Sequence, residues 1–96
     1  MKGVNTVNYK ELFVLTELDY GDYVAVIVDL ETHQFHEAVF SFQQRGGGFG
    51  NAHIVHKEVA ISHEQVKGLA EKSKDPHAKK YVEITNDNWK DLIDGI

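Results

Sequence analysis

The chain has 96 residues, of which 42% are apolar and 26% are charged, and its formal net charge is -5. This composition is typical of one globular domain over residues 1–96, and the absence of cysteine excludes disulfide scaffolds, zinc ribbons and thiol catalysis. Because no apolar stretch reaches the length of a signal peptide or of a membrane span, we expect a cytoplasmic protein with no membrane partner.

Three strands are predicted in the first half of the chain. Residues 9–18 carry apolar side chains on both faces, with Leu12 and Phe13 on opposite sides. After the turn sequence DYGD, residues 23–30 (YVAVIVDL) form a β-branched, almost continuously apolar run, which is typical of a central strand. Residues 35–42 (FHEAVFSF) alternate between an aromatic and a mixed face, so we expect an antiparallel hairpin with the preceding strand.

A fourth strand and a helix are predicted next. Residues 53–61 (HIVHKEVAI) alternate imperfectly but contain enough β-branched residues for a strand. Ser62 and Gln65 have the spacing of a capping box, which predicts that a helix begins at this point. The helix should end before Asp75-Pro76, because proline disfavours helical geometry in the residue that precedes it.

The last part of the chain predicts a short strand and a second helix. Residues 81–85 (YVEIT) have the alternation of a strand, and Thr85 or Asn86 can cap the final helix. The apolar stripe of that helix consists of Trp89, Leu92, Ile93 and Ile96. The order β-β-β-β-α-β-α favours an α+β fold, with a mostly antiparallel sheet of about five strands and two helices packed on one face.

A glycine-rich segment separates the third and fourth predicted strands. Gly46 and Gly48 begin a dinucleotide-binding spacing, but Asn51 occupies the third glycine position and a strand follows instead of a helix. No Gly-Lys-Ser or Gly-Lys-Thr sequence follows, so the segment is not a phosphate-binding P-loop. What remains is a long hairpin connection whose successive glycine amides can form an anion-binding nest.

Two side chains give this connection a potential role in binding. The guanidinium of Arg45 can pair with a carboxylate or phosphate, and Phe49 stands among small residues. Phe49 can fold back onto the sheet, project as an aromatic anchor for a partner, or accompany a small-anion site. These three alternatives remain open at the level of the sequence.

Charge and histidine placement define the other candidates. Residues 43–80 carry seven Lys or Arg against four acidic residues, which is typical of a solvated helix face or of a positive surface patch. His53 and His56 are three residues apart on a predicted strand and so point to opposite faces. His33 and His36 straddle a predicted turn, so a metal-binding pair stays an alternative there, but neither pair has the further ligands that zinc sites require. We therefore expect no metal site, no cofactor and no catalytic residue.

The leading hypothesis is a small binding or regulatory protein without enzymatic activity that docks to a protein partner. One short domain without a cofactor motif is typical of accessory proteins of bacteria, phages and mobile elements. The predicted binding residues are Arg45, Gly46, Gly47, Gly48, Phe49, Gly50, Asn51, His53, His56 and Lys57. The alternative is a small-ligand, nucleotide or phosphate-binding protein that uses Arg45 and the loop from Gly46 to Asn51.

Two further expectations concern partners. Self-association into a homodimer through an unpaired edge strand is compatible with either hypothesis, because open sheets expose unpaired backbone groups. Nucleic acid is not an expected partner, because the overall negative charge opposes contact with a phosphate backbone.

Overall fold

An antiparallel sheet and three helices make up the fold in the computed structural model, which describes residues 8–41 and 53–93. The strands are β1 (Tyr9–Glu17), β2 (Tyr23–Asp29), β3 (Phe35–Ser41) and β4 (His53–Ile61), adjacent in chain order. The helices are α1 (His63–Lys72), a 3₁₀ helix (Pro76–Glu83) and α2 (Trp89–Ile93), and Asp19–Gly21 form a single 3₁₀ turn between β1 and β2. The predicted α+β class is confirmed, whereas the described residues form four strands instead of about five, and three helices instead of two.

The prediction of a strand over residues 81–85 is wrong, because Tyr81 to Glu83 complete the 3₁₀ helix. The Asp75 side chain accepts a hydrogen bond from the His77 N–H, and Pro76 occupies the first helical position, where its missing N–H costs nothing. Asp75-Pro76 therefore both stops α1 and starts the next helix. A short apolar run cannot by itself distinguish a strand from a helical segment.

Two irregularities in β1 change which side chains face the helices. The pairing of β1 with β2 shifts register between Glu11 and Phe13, and again between Val14 and Thr16. A residue inserted on one strand interrupts the alternation of side chains. Leu12 and Phe13, which were predicted on opposite faces, consequently both lie in the core beneath the helices.

The three helices cover one face of the sheet and bury the larger core. Its buried members are Leu12, Phe13, Val26, Val28, Phe35, Val66, Ala70, Ala78, Tyr81, Ile84 and Ile93. The Phe13 and Tyr81 rings stack with their centroids 5.4 Å apart, which joins β1 to the 3₁₀ helix. Full burial of one large apolar side chain stabilises the fold by about 1.5–3 kcal/mol, so this layer fixes the position of the helices.

The opposite face of the sheet carries a smaller apolar cluster. Ala25, Ile27, Ala38 and Phe40 are buried there, with Tyr9, Tyr23 and Ile54 packed around them. No residue of the described helices belongs to this cluster. The Tyr23 ring stacks on Phe40 at 5.0 Å, and its hydroxyl donates a hydrogen bond of 2.8 Å to Glu11 Oε1. Burial, followed by this bond, raises the pKa of Tyr23, so the phenol stays protonated.

The predicted capping box at the start of α1 is confirmed. The Ser62 hydroxyl accepts a hydrogen bond of 3.2 Å from the Gln65 N–H, and the Gln65 side chain accepts one of 2.9 Å from the Ser62 N–H. Two of the four unpaired amides of the helix end are thus satisfied. The helix ends at Lys72, before Asp75-Pro76, as predicted.

Replacement of Gly68 with alanine is expected to stabilise the protein by about 0.5–1 kcal/mol, because alanine loses less backbone entropy in a helix. Gly68 lies inside α1, and a Cβ atom added there would meet no other atom within 4 Å. Urea denaturation monitored by circular dichroism measures the difference. Gly68→Val should gain less, because a β-branched side chain is restricted in a helix. A lower urea midpoint for Gly68→Ala would contradict the expectation.

Candidate functional site

The two edges of the sheet differ in what lies beside them, and β1 forms the covered edge. Its Val14 N–H donates a hydrogen bond of 2.7 Å to Asp75 Oδ2, and its Val14 carbonyl accepts one of 2.6 Å from Ser73 Oγ. The Lys10 ammonium donates to the carbonyl of Ile93 in α2. The segment after α1 thus occupies backbone groups that another strand would need for pairing.

Asp75 is held in its charged form at this covered edge. Burial alone would raise the pKa of its carboxyl, but hydrogen bonds from the Val14 N–H and from the N–H and ring of His77 outweigh burial. The pKa of Asp75 therefore lies below its ordinary value. An ionised carboxylate is the stronger acceptor, so it caps the edge well at neutral pH.

The other edge, β4, is open along its length within residues 8–41 and 53–93, where β3 is its only strand neighbour. All six residues from 55 to 60 are exposed, and none of its side chains that the structure describes is buried. Val55 is 56% exposed and Val59 is 81% exposed. Unpaired backbone groups beside exposed β-branched side chains form a template for pairing with another chain.

Two irregularities give this edge its shape. The pairing of β4 with β3 shifts register between Ile54 and His56, and again between Lys57 and Ala60. Each shift leaves one extra residue on β4: Val55 has no opposite residue in the first, and in the second Glu58 and Val59 together oppose Glu37. His56 and Lys57 therefore form a short regular segment with a bulge on each side.

Charged side chains occupy that central segment. His56 Nε2 lies 2.8 Å from Glu58 Oε2, and both side chains are more than half exposed. On the opposite face, the Lys57 ammonium lies 3.7 Å from Asp29 Oδ2. Burial would raise the pKa of Asp29, but the N–H groups of Glu31 and Thr32 and the Lys57 charge hold it below its ordinary value. Lys57 therefore always has an ionised partner near neutral pH.

The structure places only part of the predicted binding surface. Residues Arg45 to Asn51 lie outside the described residues, so the predictions made for Phe49 and the glycines stay untested. His53 pairs through its backbone with Ser41, while His56 and Lys57 are exposed on β4. The sequence interpretation missed Val55, Glu58 and Val59. Their signal was the imperfect alternation of residues 53–61, which indicates bulges in an edge strand.

His33, in the β2–β3 turn, and His36, in β3, have separate surroundings. His33 adopts a positive φ of 62°, and the centroid of its ring lies 5.6 Å from the centroid of the Trp89 ring. His36 is buried in the sheet, where its Nδ1 lies 2.8 Å from the Glu58 carbonyl oxygen. In the described part of the chain, no three His, Asp or Glu side chains converge as metal ligands.

A cleft of about 760 Å³ lies at the end of β4 beside α1. The His63 ring forms part of its wall, with its centroid 5.1 Å from that of the Phe35 ring and 5.8 Å from that of the Trp89 ring. Buried His63 Nε2 has no hydrogen-bond partner among the described residues. The cleft is also lined by Lys67 and Glu71, so its charges are mixed and favour no single ligand class.

Comparisons of the whole chain with protein-family models, with curated proteins and with solved structures found no match. No helix among the described residues is long and apolar enough to cross a membrane. The function is therefore inferred from the geometry of the chain itself, in which the open β4 edge is the clearest exposed feature.

Proposed function

We propose that this protein is a docking module that binds a protein partner along the outer edge of β4. One observation carries the proposal: six consecutive residues of this strand are exposed, Val55 and Val59 among them, although strands of this composition are normally half buried. A partner strand added to the edge would pair the free backbone groups and cover both valines.

The difference between the two edges supports this role. Natural proteins protect edge strands with charged side chains, bulges or a covering segment. Ser73 and Asp75 cover β1 in this way, through bonds to both backbone groups of Val14. On β4, the described residues supply bulges and charges but no covering segment. In the part of the chain that the structure describes, this edge is therefore accessible for strand addition.

Affinity and specificity would come from different parts of the edge. Backbone hydrogen bonds and burial of the valines supply affinity, since apolar burial contributes about 25 cal/mol per Å². His56, Lys57 and Glu58 place one titratable and two charged side chains along the strand, and such groups select a complementary partner more than they strengthen binding.

Photo-crosslinking tests the proposed surface. With benzoylphenylalanine incorporated at Val59, irradiation of intact cells that produce the full chain should yield one adduct of defined mass. The same probe at Lys79, an exposed residue of the 3₁₀ helix, should yield none above background. Addition of Val55→Lys to the Val59 probe variant should remove the adduct, because the ammonium would then face the partner strand.

Two results would contradict the proposal. Equal crosslinking at positions 59 and 79 would show that the probe reports only exposure. Failure to trap any protein at position 59, in a variant whose melting temperature matches that of the unmodified chain, would show that nothing binds this edge.

A further inference from the structure

We infer that the β4 edge binds the β4 edge of a second copy of this chain, in antiparallel pairing with a two-fold axis at Lys57. The inference rests on the proposed docking role of β4 and names its partner. Identical strands that pair in this way extend the sheet across the axis, so that two four-stranded sheets become one of eight strands. Because the axis is perpendicular to the sheet, the helices of both copies lie on the same face of the combined sheet.

The axis at Lys57 brings complementary hydrogen-bonding groups together. It sets His56 of each chain opposite Glu58 of the other, so two imidazole–carboxylate contacts form across the interface. Both side chains are more than half exposed within one chain, which leaves them accessible to the second copy. Lys57 meets its own equivalent, but Asp29 lies 3.7 Å from its ammonium and neutralises that charge in each copy.

The same axis matches the apolar residues and the bulges. It sets Val55 opposite Val59 of the second copy, so the two most exposed valines of the strand cover each other twice. The bulge at Val55 also meets the bulge at Glu58–Val59, since the two lie on either side of the axis. In this register the irregular positions of one edge therefore face those of the other.

Neighbouring registers lack this complementarity. Side chains directly opposite each other must lie on the same face, so the nearest alternatives shift the axis by one residue. An axis at His56 sets Val55 opposite Lys57. An axis at Glu58 sets two carboxylates against each other and Lys57 opposite Val59. Both alternatives place a charge against a valine, whereas the axis at Lys57 pairs imidazole with carboxylate and valine with valine. Its one like-charge pair is Lys57 with Lys57, and Asp29 offsets that charge in each copy.

Sedimentation equilibrium with charge reversal tests both the partner and the register. The wild-type chain should reach twice its mass of 10.9 kDa as its concentration rises. Glu58→Lys alone should weaken self-association about tenfold or more, because it removes the carboxylate that meets the His56 ring of the other copy. His56→Glu alone should weaken it similarly, because it sets two carboxylates in contact. An equimolar mixture of these two variants should associate again, since the introduced lysine meets the introduced glutamate. Glu83→Lys, an exposed change on the 3₁₀ helix, should leave self-association unchanged.

Single-cysteine variants provide a second test, because the chain has no cysteine of its own. Under mild oxidation, Lys57→Cys should form a covalent dimer, since the two introduced thiols meet at the axis. Val59→Cys alone should not, because its two thiols would lie about 13 Å apart along the strands. A mixture of Val55→Cys and Val59→Cys should crosslink. Efficient crosslinking of Val59→Cys alone would overturn the register and with it the inference.

The outcomes also separate this inference from the proposed function. A purified wild-type chain that stays monomeric at millimolar concentration would overturn the second-copy inference. If the probe at Val59 then still traps a different protein, the docking role stands and only the identity of the partner is wrong. A dimer that Glu58→Lys and His56→Glu leave intact would overturn the inference too, because it would use another surface.

Discussion

Phe13→Ala is expected to lower the free energy of unfolding by about 3–5 kcal/mol. Phe13 is 1% exposed and stacks on Tyr81, so its removal leaves a cavity between β1 and the 3₁₀ helix. Because a domain of this size is stable by about 5–15 kcal/mol, the loss consumes a large share of its stability. Urea denaturation followed by circular dichroism gives the value directly.

Phe13→Leu is the matched control for this prediction. Leucine fills most of the cavity, so the cost should fall below about 1.5–2 kcal/mol. A loss below about 1 kcal/mol for Phe13→Ala would show that the ring is solvated, and would thereby contradict the placement of the 3₁₀ helix over β1. The experiment therefore also checks the segment where the sequence had predicted a strand.

Asp75→Ala is expected to destabilise the protein by about 1–3 kcal/mol and to promote aggregation. The substitution leaves the Val14 N–H without its carboxylate acceptor and opens the β1 edge to other strands. Denaturant titration measures the first effect, and light scattering of the folded protein measures the second. Asp75→Asn keeps an acceptor oxygen and should show less than half of the destabilisation. Equal losses for the two variants would contradict a hydrogen-bonding role for this side chain.

The same carboxylate should make stability depend on pH in acid. The pKa of Asp75 in the folded chain lies below its ordinary value of 3.8, so the unfolded state binds the proton more tightly. Its contribution is complete above the ordinary value and is lost as the pH falls through the folded value. Asp75→Ala should therefore lose less stability than the wild type between pH 5 and pH 2. Asp29, whose pKa is also lowered, accounts for part of the remaining slope.

The sequence predicted the strands and α1 well because their signals are local. The β-branched run in β2 and the capping box of Ser62 and Gln65 each carry their own physical cause. The 3₁₀ helix was missed because its apolar residues, Tyr81 and Val82 among them, fit either period. Tertiary contact decided between the two, since the Tyr81 ring stacks on Phe13 of β1.

The candidate site was predicted in part. His56 and Lys57 were selected from the sequence and do lie exposed on β4. Val55 and Val59 were interpreted as ordinary strand residues, because nothing local shows that a strand stands at a sheet edge. That property depends on sheet order and on what covers the other edge, and both arise from contacts between residues far apart in sequence.

The one-sided attachment of β4 also has a kinetic consequence. Within residues 8–41 and 53–93, β4 has a single strand neighbour and little buried side-chain area, so we expect it to open at a lower free energy than the rest of the sheet. Its amides should exchange with solvent through local opening, while those of β2 exchange only on global unfolding. Any chain that pairs with β4 should suppress this local opening, because it binds only the state in which β4 is paired with β3 and so stabilises that state. A chain bound as we propose would therefore complete a cooperative unit whose outer edge, among the described residues, is otherwise held on one side only.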